Sequence, residues 1–417
     1  MGFGIAFDIG TTTIVGVLVN LLKKEEIRTS SLLNPQIKWG KDVISRIDQV
    51  INAPSILPSI QSETIKTCNK IIKDVLQDTE ISHQDIDRVT VVGNPVMEHL
   101  FLGLSPQSLG KNPYRPAFKE GKLIQARELG LSVKPDAQVY LFPLISGFVG
   151  GDMVALLLFI DKMDIADGYV SLVIDLGTNT EIALITKEGI WTTSAAAGPA
   201  FEGGEIKHGM MAKNGAIKKA RITGDKIEIE VIGGKRPIGI CGSGLLDIIA
   251  SLLKRNIIDR TGRIKKRKEI DNNLANKIEE GKENSFCLYR DLKGSISINQ
   301  EDIRALQLAK GAIQAGIKLL MDKRKVTEDE VKRVFIAGAF GNNISVESLA
   351  DIGVISKAWT DRVTLVGDGA LEGARIALSF GKTLQEVEKL IKGIHYLTLS
   401  GSAIFQREFL KGMGFDV

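Results

Sequence analysis

The sequence predicts an α/β protein built from two similar subdomains, and three observations predict it. An apolar run, an Asp-Gly-Thr turn and a second apolar run occur at Ile5-Ala6-Phe7-Asp8-Ile9-Gly10-Thr11-Thr12-Thr13-Ile14-Val15-Gly16-Val17-Leu18-Val19. They recur at Val173-Ile174-Asp175-Leu176-Gly177-Thr178-Asn179-Thr180-Glu181-Ile182-Ala183-Leu184-Ile185. A later strand followed by a glycine-started helix also comes twice, around 139–160 and around 363–380. At 417 residues the chain is long enough for two or three domains.

The duplicated element has a readable chemistry. Each run is apolar enough for a strand covered on both faces. Gly10 and Gly177 permit a tight turn and let a ligand approach the main chain. Thr11, Thr12, Thr178 and Thr180 add hydroxyls to the turn N–H donors, a set suited to phosphate oxygens. Asp8 and Asp175 would repel a bare phosphate, so they imply a hard cation such as Mg²⁺ between carboxylate and phosphate. Two such hairpins are expected to clamp a polyphosphate and its cation from both sides. A pair of ordinary Asp-Gly hairpins is the competing reading, and the duplication weakens it.

Composition narrows the class. The 44% hydrophobic and 25% charged fractions are those of a globular protein, which sets disorder aside. A net charge of +4 over this length gives no argument for nucleic acid or membrane. The basic stretch 254–268 lacks interleaved aromatics and reads as solvated surface. Cys68, Cys241 and Cys287 have neither zinc nor iron–sulfur spacing. The expected location is the cytoplasm: Met1 to Val19 does not read as a signal peptide, and the apolar run 153–160 is too short to span a bilayer.

In chain order, a third strand is predicted at 27–33. Helices follow at 40–52 and 55–77, with Pro54 and Pro58 at their junction. A strand at 89–92 runs into a helix at 95–102 that Asn94 caps. Residues 104–138 read as irregular. A strand at 139–143 leads to the apolar helix 152–160. In the second half, a strand at 189–194 ends in the small-residue stretch 195–204, read as a loop pressed against a ligand or as flexible surface. Surface hairpin strands at 215–232 precede Cys241-Gly242-Ser243-Gly244 and a helix at 245–254, a phosphate-site pattern that also simply starts helices. Residues 270–295 read as polar. Leu306, Ala309, Ile313, Ile317 and Leu320 define one face of a helix over 300–321. A strand at 334–337 enters the turn 338–343, then come a helix at 345–350, a strand at 363–366 and a helix from 371 to 380. A strand near 394–399 and a helix near 402–411 make up the tail. His99, on an apolar helix, is expected to be structural rather than a ligand.

These motifs resemble the acetate kinase, sugar kinase, Hsp70 and actin superfamily. The first hairpin is similar to its phosphate-1 motif, the central hairpin to phosphate-2, and 335–343 to its adenosine motif. The helices near 150–160 and 368–378 resemble its two connecting helices. Closer wording comes from Gly93-Asn94-Pro95-Val96-Met97-Glu98-His99-Leu100, Asp175 to Glu181, Ala197-Gly198-Pro199-Ala200-Phe201-Glu202-Gly203 and Cys241-Gly242-Ser243-Gly244-Leu245. Those stretches resemble the ATP-dependent reductive activators of corrinoid proteins. The Cys-Gly-Ser-Gly element is also similar to the activators of 2-hydroxyacyl-CoA dehydratases.

The resemblance implies two ribonuclease-H-like subdomains with a nucleotide cleft between them. Their expected limits are 1–165 and 166–380, with 381–417 packing on a domain or serving self-association as a homodimer. It implies an ATPase that drives a corrinoid protein from Co(II) to Co(I), with ATP and Mg²⁺ as cofactors. Gly10, Thr11, Thr12, Thr13, Gly177, Thr178 and Asn179 would hold phosphates. Asp8 and Asp175 would orient Mg²⁺ through water. Gly203, Gly242, Ser243, Gly244, Lys310, Gly338, Ala339, Gly341 and Asn342 would surround the nucleotide. Glu181 interrupts an apolar strand and is the candidate for positioning the attacking water, against a buried carboxylate tied to a main-chain donor. Glu202 and Asp152 are secondary candidates. Lys310 would stack its stem on the base or lie exposed. Family members carry an iron–sulfur domain, and this chain has no cysteine cluster for one. The cluster is therefore expected in an upstream domain or a separate electron donor. A small-molecule kinase of the same fold, or an Hsp70- or actin-like binding module, are the competing functions.

Overall fold

The computed structural model describes residues 2–163, 168–338, 344–399 and 401–415. Two compact units divide the chain: Met1–Asp167 with Asp368–Tyr396, and Gly168–Gly367 with Leu397–Val417.

The first unit opens with β1 (Phe3–Ile9), β2 (Thr13–Asn20) and β3 (Glu25–Leu33), an antiparallel meander. Helices α1 (Val43–Asn52) and α2 (Leu57–Leu76) lead to β4 (Ile86–Gly93) and α3 (Pro95–Phe101). Then come β5 (Lys122–Gln125), α4 (Ala126–Leu129), β6 (Gln138–Leu141) and α5 (Gly151–Lys162). β4 runs parallel to β1 and β6 parallel to β4, giving the order β3-β2-β1-β4-β6-β5. Alternation along β1 sorts its residues between two covered faces. Ile5, Phe7 and Ile9 join the core with Cys68, Ile71 and Ile72 of α2. Gly4, Ala6 and Asp8 fall on the other face.

The second unit begins with β7 (Val170–Asp175), β8 (Thr180–Thr186) and β9 (Gly189–Ala195). An inserted region holds β10 (Ala216–Thr223), β11 (Lys226–Val231), β12 (Gly239–Ile240), α6 (Gly242–Lys254), β13 (Ile278–Glu279), β14 (Ser285–Asp291) and β15 (Gly294–Asn299). The long α7 (Gln300–Arg324) follows, then β16 (Val331–Ala337), α8 (Val346–Asp351) and β17 (Val363–Gly367). Strands β9-β8-β7-β16-β17 lie side by side with β16 parallel to both β7 and β17. That repeats β3-β2-β1-β4-β6 of the first unit strand for strand. Leu306, Ala309, Ile313 and Leu320 of α7 are fully buried in a core with Leu172 and Ile174, as their spacing predicts.

The chain then supplies α9 (Gly369–Ala377) and α10 (Lys382–Lys392) to the first unit, β18 (Ile394–Tyr396), and α11 (Ala403–Gly412) to the second. α9 packs on α5 so closely that a Cβ on Gly373 would stand 1.8 Å from the Ala155 carbonyl oxygen. Thr90 on β4 donates to the Ala374 carbonyl at 2.8 Å, which seats α9 against the Gly4–Ala6 face of the sheet.

Three segments depart from the sequence reading. The stretch 104–138 is not wholly irregular, since it holds the edge strand β5 and α4. β5 is only four residues long and leaves Leu123 56% exposed, so it carries no apolar signal. The polar stretch 270–295 contains β13 and β14 and the start of β15. Phe286 and Leu288 are buried there, as are Ile296 and Ile298 just beyond it, but charged neighbours mask the alternation. Helix α10 went unassigned because Val387 is its one buried residue.

Candidate nucleotide site

The corner between β1 and β2 is held from behind. The side-chain amide of Asn34 donates to the Gly10 carbonyl at 2.8 Å, Arg46 donates to the Thr11 carbonyl at 2.6 Å, and the Asn34 backbone donates to the Thr12 carbonyl at 2.8 Å. A trans peptide points its N–H opposite to its C=O. The Thr11 and Thr12 N–H groups are therefore aimed away from the Asn34–Arg46 side. Asn94, which caps α3 through Val96 and Met97, also donates to the Thr11 hydroxyl at 3.0 Å. Arg46 is fully buried, and its other donors meet the Gly40 carbonyl, Gln36 and the Met97 sulfur. Desolvation brings its guanidinium down to about 10, partly offset by Asp42. It remains a cation at neutral pH, directly behind an expected phosphate corner. Sequence reasoning missed Asn34 and Arg46. The signal was present: Arg46 lies at helical spacing with Val43, Ile47 and Val50, a charge on an apolar face.

The corner between β7 and β8 differs in two ways. Asp175 stands opposite Glu181, and Glu181 opposite Ser194, so the three form a row across β7, β8 and β9. Ser194 donates to Glu181 at 3.1 Å. The first unit has Val15 opposite Asp8, where the second has Glu181. Glu202 supplies the second difference. Its Oε1 accepts from both the backbone N–H and the hydroxyl of Thr178, each at 2.8 Å. A carboxylate oxygen already seated on this donor pair is direct evidence that the pair accepts an anion. The donor chemistry therefore fits a phosphate oxygen.

The remaining predicted residues are distributed less simply. Gly203 is left-handed and faces Met210. Gly242, Ser243 and Gly244 are buried at the start of α6. The Ser243 hydroxyl donates to the Lys218 carbonyl at 2.9 Å, and a Cβ on Gly244 would lie 2.2 Å from the Ile217 carbonyl oxygen. Both residues thus serve the contact of α6 with β10. Lys310 is buried, neither exposed nor open for stacking: its ammonium donates to the Gly414 carbonyl and lies 5.1 Å from the Phe415 ring centre. The Gly338 N–H donates to the Gly367 carbonyl at 3.0 Å. Ala339, Gly341 and Asn342 lie outside the described residues.

A fully buried carboxylate on the first unit, Glu98, with the part-buried Asp152 nearby, was not foreseen as a pair. Glu98, on α3, is fully buried, and neither of its oxygens completes a hydrogen bond. It lies against the start of α5, where a Cβ on Gly151 would meet its Oε1 at 2.3 Å. Desolvation first, then the charges of Asp152 and Asp8, push its carboxyl well above the ordinary range, and the amides of Gly151 and Gly93 offset this only in part. Asp152 is raised to about 6, chiefly by burial. A raised folded pKa means folding takes up protons. The stability that follows is complete below the unfolded value of about 4 and is lost as pH rises toward the folded value. Glu98→Gln is therefore expected to flatten the fall of melting temperature as pH rises above about 4. Equal slopes for the two proteins in a pH series of thermal melts would refute this assignment.

His99 is a core residue, as its helix implied. Its Nδ1 meets the Pro95 carbonyl at 2.6 Å, its Nε2 accepts from the Ala117 N–H at 2.9 Å, and burial lowers its pKa. Cys68, Cys241 and Cys287 are each buried free thiols, and burial pushes Cys68 up to about 12. An iron–sulfur cluster needs cysteine ligands grouped together, and these three stand apart, on α2, just before α6 and on β14. Among the described residues, no group of three or more His, Cys, Asp or Glu could hold a metal, and no helix is long and apolar enough to cross a membrane.

Two sheets of this repeated order, each opening on an Asp-Gly-Thr corner, define the acetate kinase, sugar kinase, Hsp70 and actin class of fold. Family models match the chain as the C-terminal domain of RACo, the ASKHA domain, over residues 169–416 and as the RACo middle region over residues 3–164. The chain belongs to the RACo family. It is 37% identical to the corrinoid activation enzyme RamQ of Eubacterium limosum over 383 residues, covering 90% of this chain and 64% of RamQ. It is 25% identical to the [Co(II) methylated amine-specific corrinoid protein] reductase of Methanosarcina barkeri, covering 98% of this chain and 76% of the reductase. The solved structure of a reductive activator for corrinoid, iron-sulfur protein matches with a TM-score of 0.90 and 34% identity, over 99% of this chain and 66% of that one. The chain thus spans about two thirds of the length of RamQ and of that solved protein.

Proposed function

We propose that this chain binds and hydrolyses ATP, and that hydrolysis drives reduction of a corrinoid protein from Co(II) to Co(I). The observation that carries the nucleotide reading is the anion seat at Thr178, whose N–H and hydroxyl both hold one carboxylate oxygen. Membership of the RACo family and the names of RamQ and the Methanosarcina reductase support the corrinoid partner. Thr11 and Thr12 N–H groups, steadied by Asn34 and Arg46, and the Gly177–Asn179 turn are the phosphate donors in this reading. Asp8 and Asp175, each beside the Gly-Thr corner of its own unit, would be the residues to hold the hydrated Mg²⁺ that accompanies ATP, and the cation would supply charge neutralisation for the phosphates. Glu181, supported by Ser194, positions the attacking water. Hydrolysis yields ADP and phosphate. One electron from a low-potential donor passes to cobalt, and this chain's buried thiols take no part in carrying it. Nucleotide binding biases the corrinoid partner only by its differential affinity for two states of the protein.

The test mixes the protein with Mg-ATP, a low-potential reductant and candidate Co(II) corrinoid proteins while cobalt absorption is followed. ATP-dependent appearance of Co(I), with ATP turnover stimulated by the corrinoid protein, is the expected result. Phosphoryl transfer to sugars or acids, with no response to any corrinoid protein, would replace this reading with a small-molecule kinase.

A further inference from the structure

Glu202 occupies the position on Thr178 that the nucleotide reading assigns to phosphate. Its Oε1 takes both donors of that residue at 2.8 Å and lies 3.8 Å from where a Cβ on Gly177 would stand. One oxygen held by an amide and a hydroxyl of the same residue is how such corners grip an anion. We propose that Glu202 is a built-in competitor for the phosphate seat at Thr178, displaced by an arriving nucleotide phosphate and thereby setting nucleotide affinity. This rests on the nucleotide reading above.

The surrounding geometry suits a side chain that swings while its backbone stays. Glu202 ends the short helical turn Pro199–Glu202, bracketed by Gly198 at φ +77° and Gly203 at φ +76°. Ala200 and Phe201 are buried in the core of the second unit. The Gly198 N–H donates to the Thr178 carbonyl at 2.9 Å, and the Gly204 N–H donates to the Pro199 carbonyl at 2.8 Å. The turn is thus pinned to the corner it serves, whereas the Glu202 side chain itself is only half-buried. Release requires rotation about side-chain bonds, with no backbone rearrangement. A carboxylate and a phosphate cannot share one N–H and one hydroxyl, because both are anions and both need the same protons. Binding of either therefore excludes the other.

The test is calorimetric binding of Mg-ATP and Mg-ADP to the full chain and three variants. Glu202→Ala frees the donors, and Glu202→Gln keeps the shape without the charge. Glu205→Gln removes an equal charge from an exposed position three residues on. Glu202→Ala is expected to bind ATP about tenfold more tightly, the scale of a charge-assisted hydrogen bond partly replaced by water. Glu202→Gln should fall between it and the parent, and Glu205→Gln should match the parent. Unchanged or weaker binding by Glu202→Ala overturns the proposal. So does an equal gain in Glu205→Gln, which would reduce the effect to general charge. If Glu202→Ala does not fold, Glu202→Gln decides: a gain over the parent supports displacement, and none overturns it. Absence of nucleotide binding in the parent and every variant refutes the nucleotide reading itself, and the competitor with it.

Discussion

Asp8→Asn is expected to slow Mg-ATP hydrolysis by about a hundredfold or more, the scale on which one oriented electrostatic group in a phosphoryl site acts. Asp8 sits one residue from the end of β1, opposite Val15 and Val92, immediately before the Gly10–Thr12 corner. It lies on the Gly4–Ala6 face of the sheet by strand alternation. Asparagine keeps the size and polarity of the side chain but loses the charge to which the proposed mechanism assigns the hold on hydrated Mg²⁺. The fold should survive, because the flanking Ile9 and Phe7 that anchor the strand are untouched and fully buried. The variant should also need more Mg²⁺ for half-maximal rate. Steady-state turnover against Mg²⁺ concentration checks both, with thermal melting as the control for folding. A rate within threefold of the parent at saturating Mg²⁺ would remove Asp8 from the proposed mechanism.

Gly373→Ala is expected to destabilise the first unit by about 2 kcal/mol, although alanine is the better helix former. Propensity favours the change by about 1 kcal/mol in a helix interior. Against it, the new methyl would stand 1.8 Å from the Ala155 carbonyl oxygen and 2.3 Å from its carbon. Those are backbone atoms of α5 and have no rotamer by which to yield. The helices must separate, and overpacking of this kind costs about 3 kcal/mol. The clash wins, and the melting temperature should fall by about 4–8 °C for a unit of this size. A melt equal to or above that of the parent would show that α5 and α9 do not meet as described.

How much was legible depends on how local the determining signal was. The two hairpins and the apolar face of α7 could be read because each repeats at the period of its own element, and the cap at Asn94 because it precedes a proline-started helix. Asp8 and Asp175 stood out by their place in the duplicated turn, and Glu181 as a carboxylate breaking an apolar run. Arg46 could have been found by the rule that exposed Glu181, as a charge on the apolar face of α1. Glu98 shares the apolar helix of His99, but nothing in that segment tells that both its oxygens will lack partners. Nor could the fate of Lys310 be read, since the groups that bury it, Gly414 and Phe415, lie about a hundred residues away.

The sequence by itself determined the duplicated Asp-Gly-Thr corner, the α/β class and the family, because these depend on residue order within short stretches and on their recurrence. Only the tertiary structure decided that the chain returns at Asp368 to complete its first unit, that Arg46 and Asn34 brace one corner, and that Glu202 fills the other. Each of those facts joins segments more than twenty residues apart. Which distant groups meet is fixed by close packing and by the need of buried polar atoms for partners, and neither leaves a periodic mark on the chain.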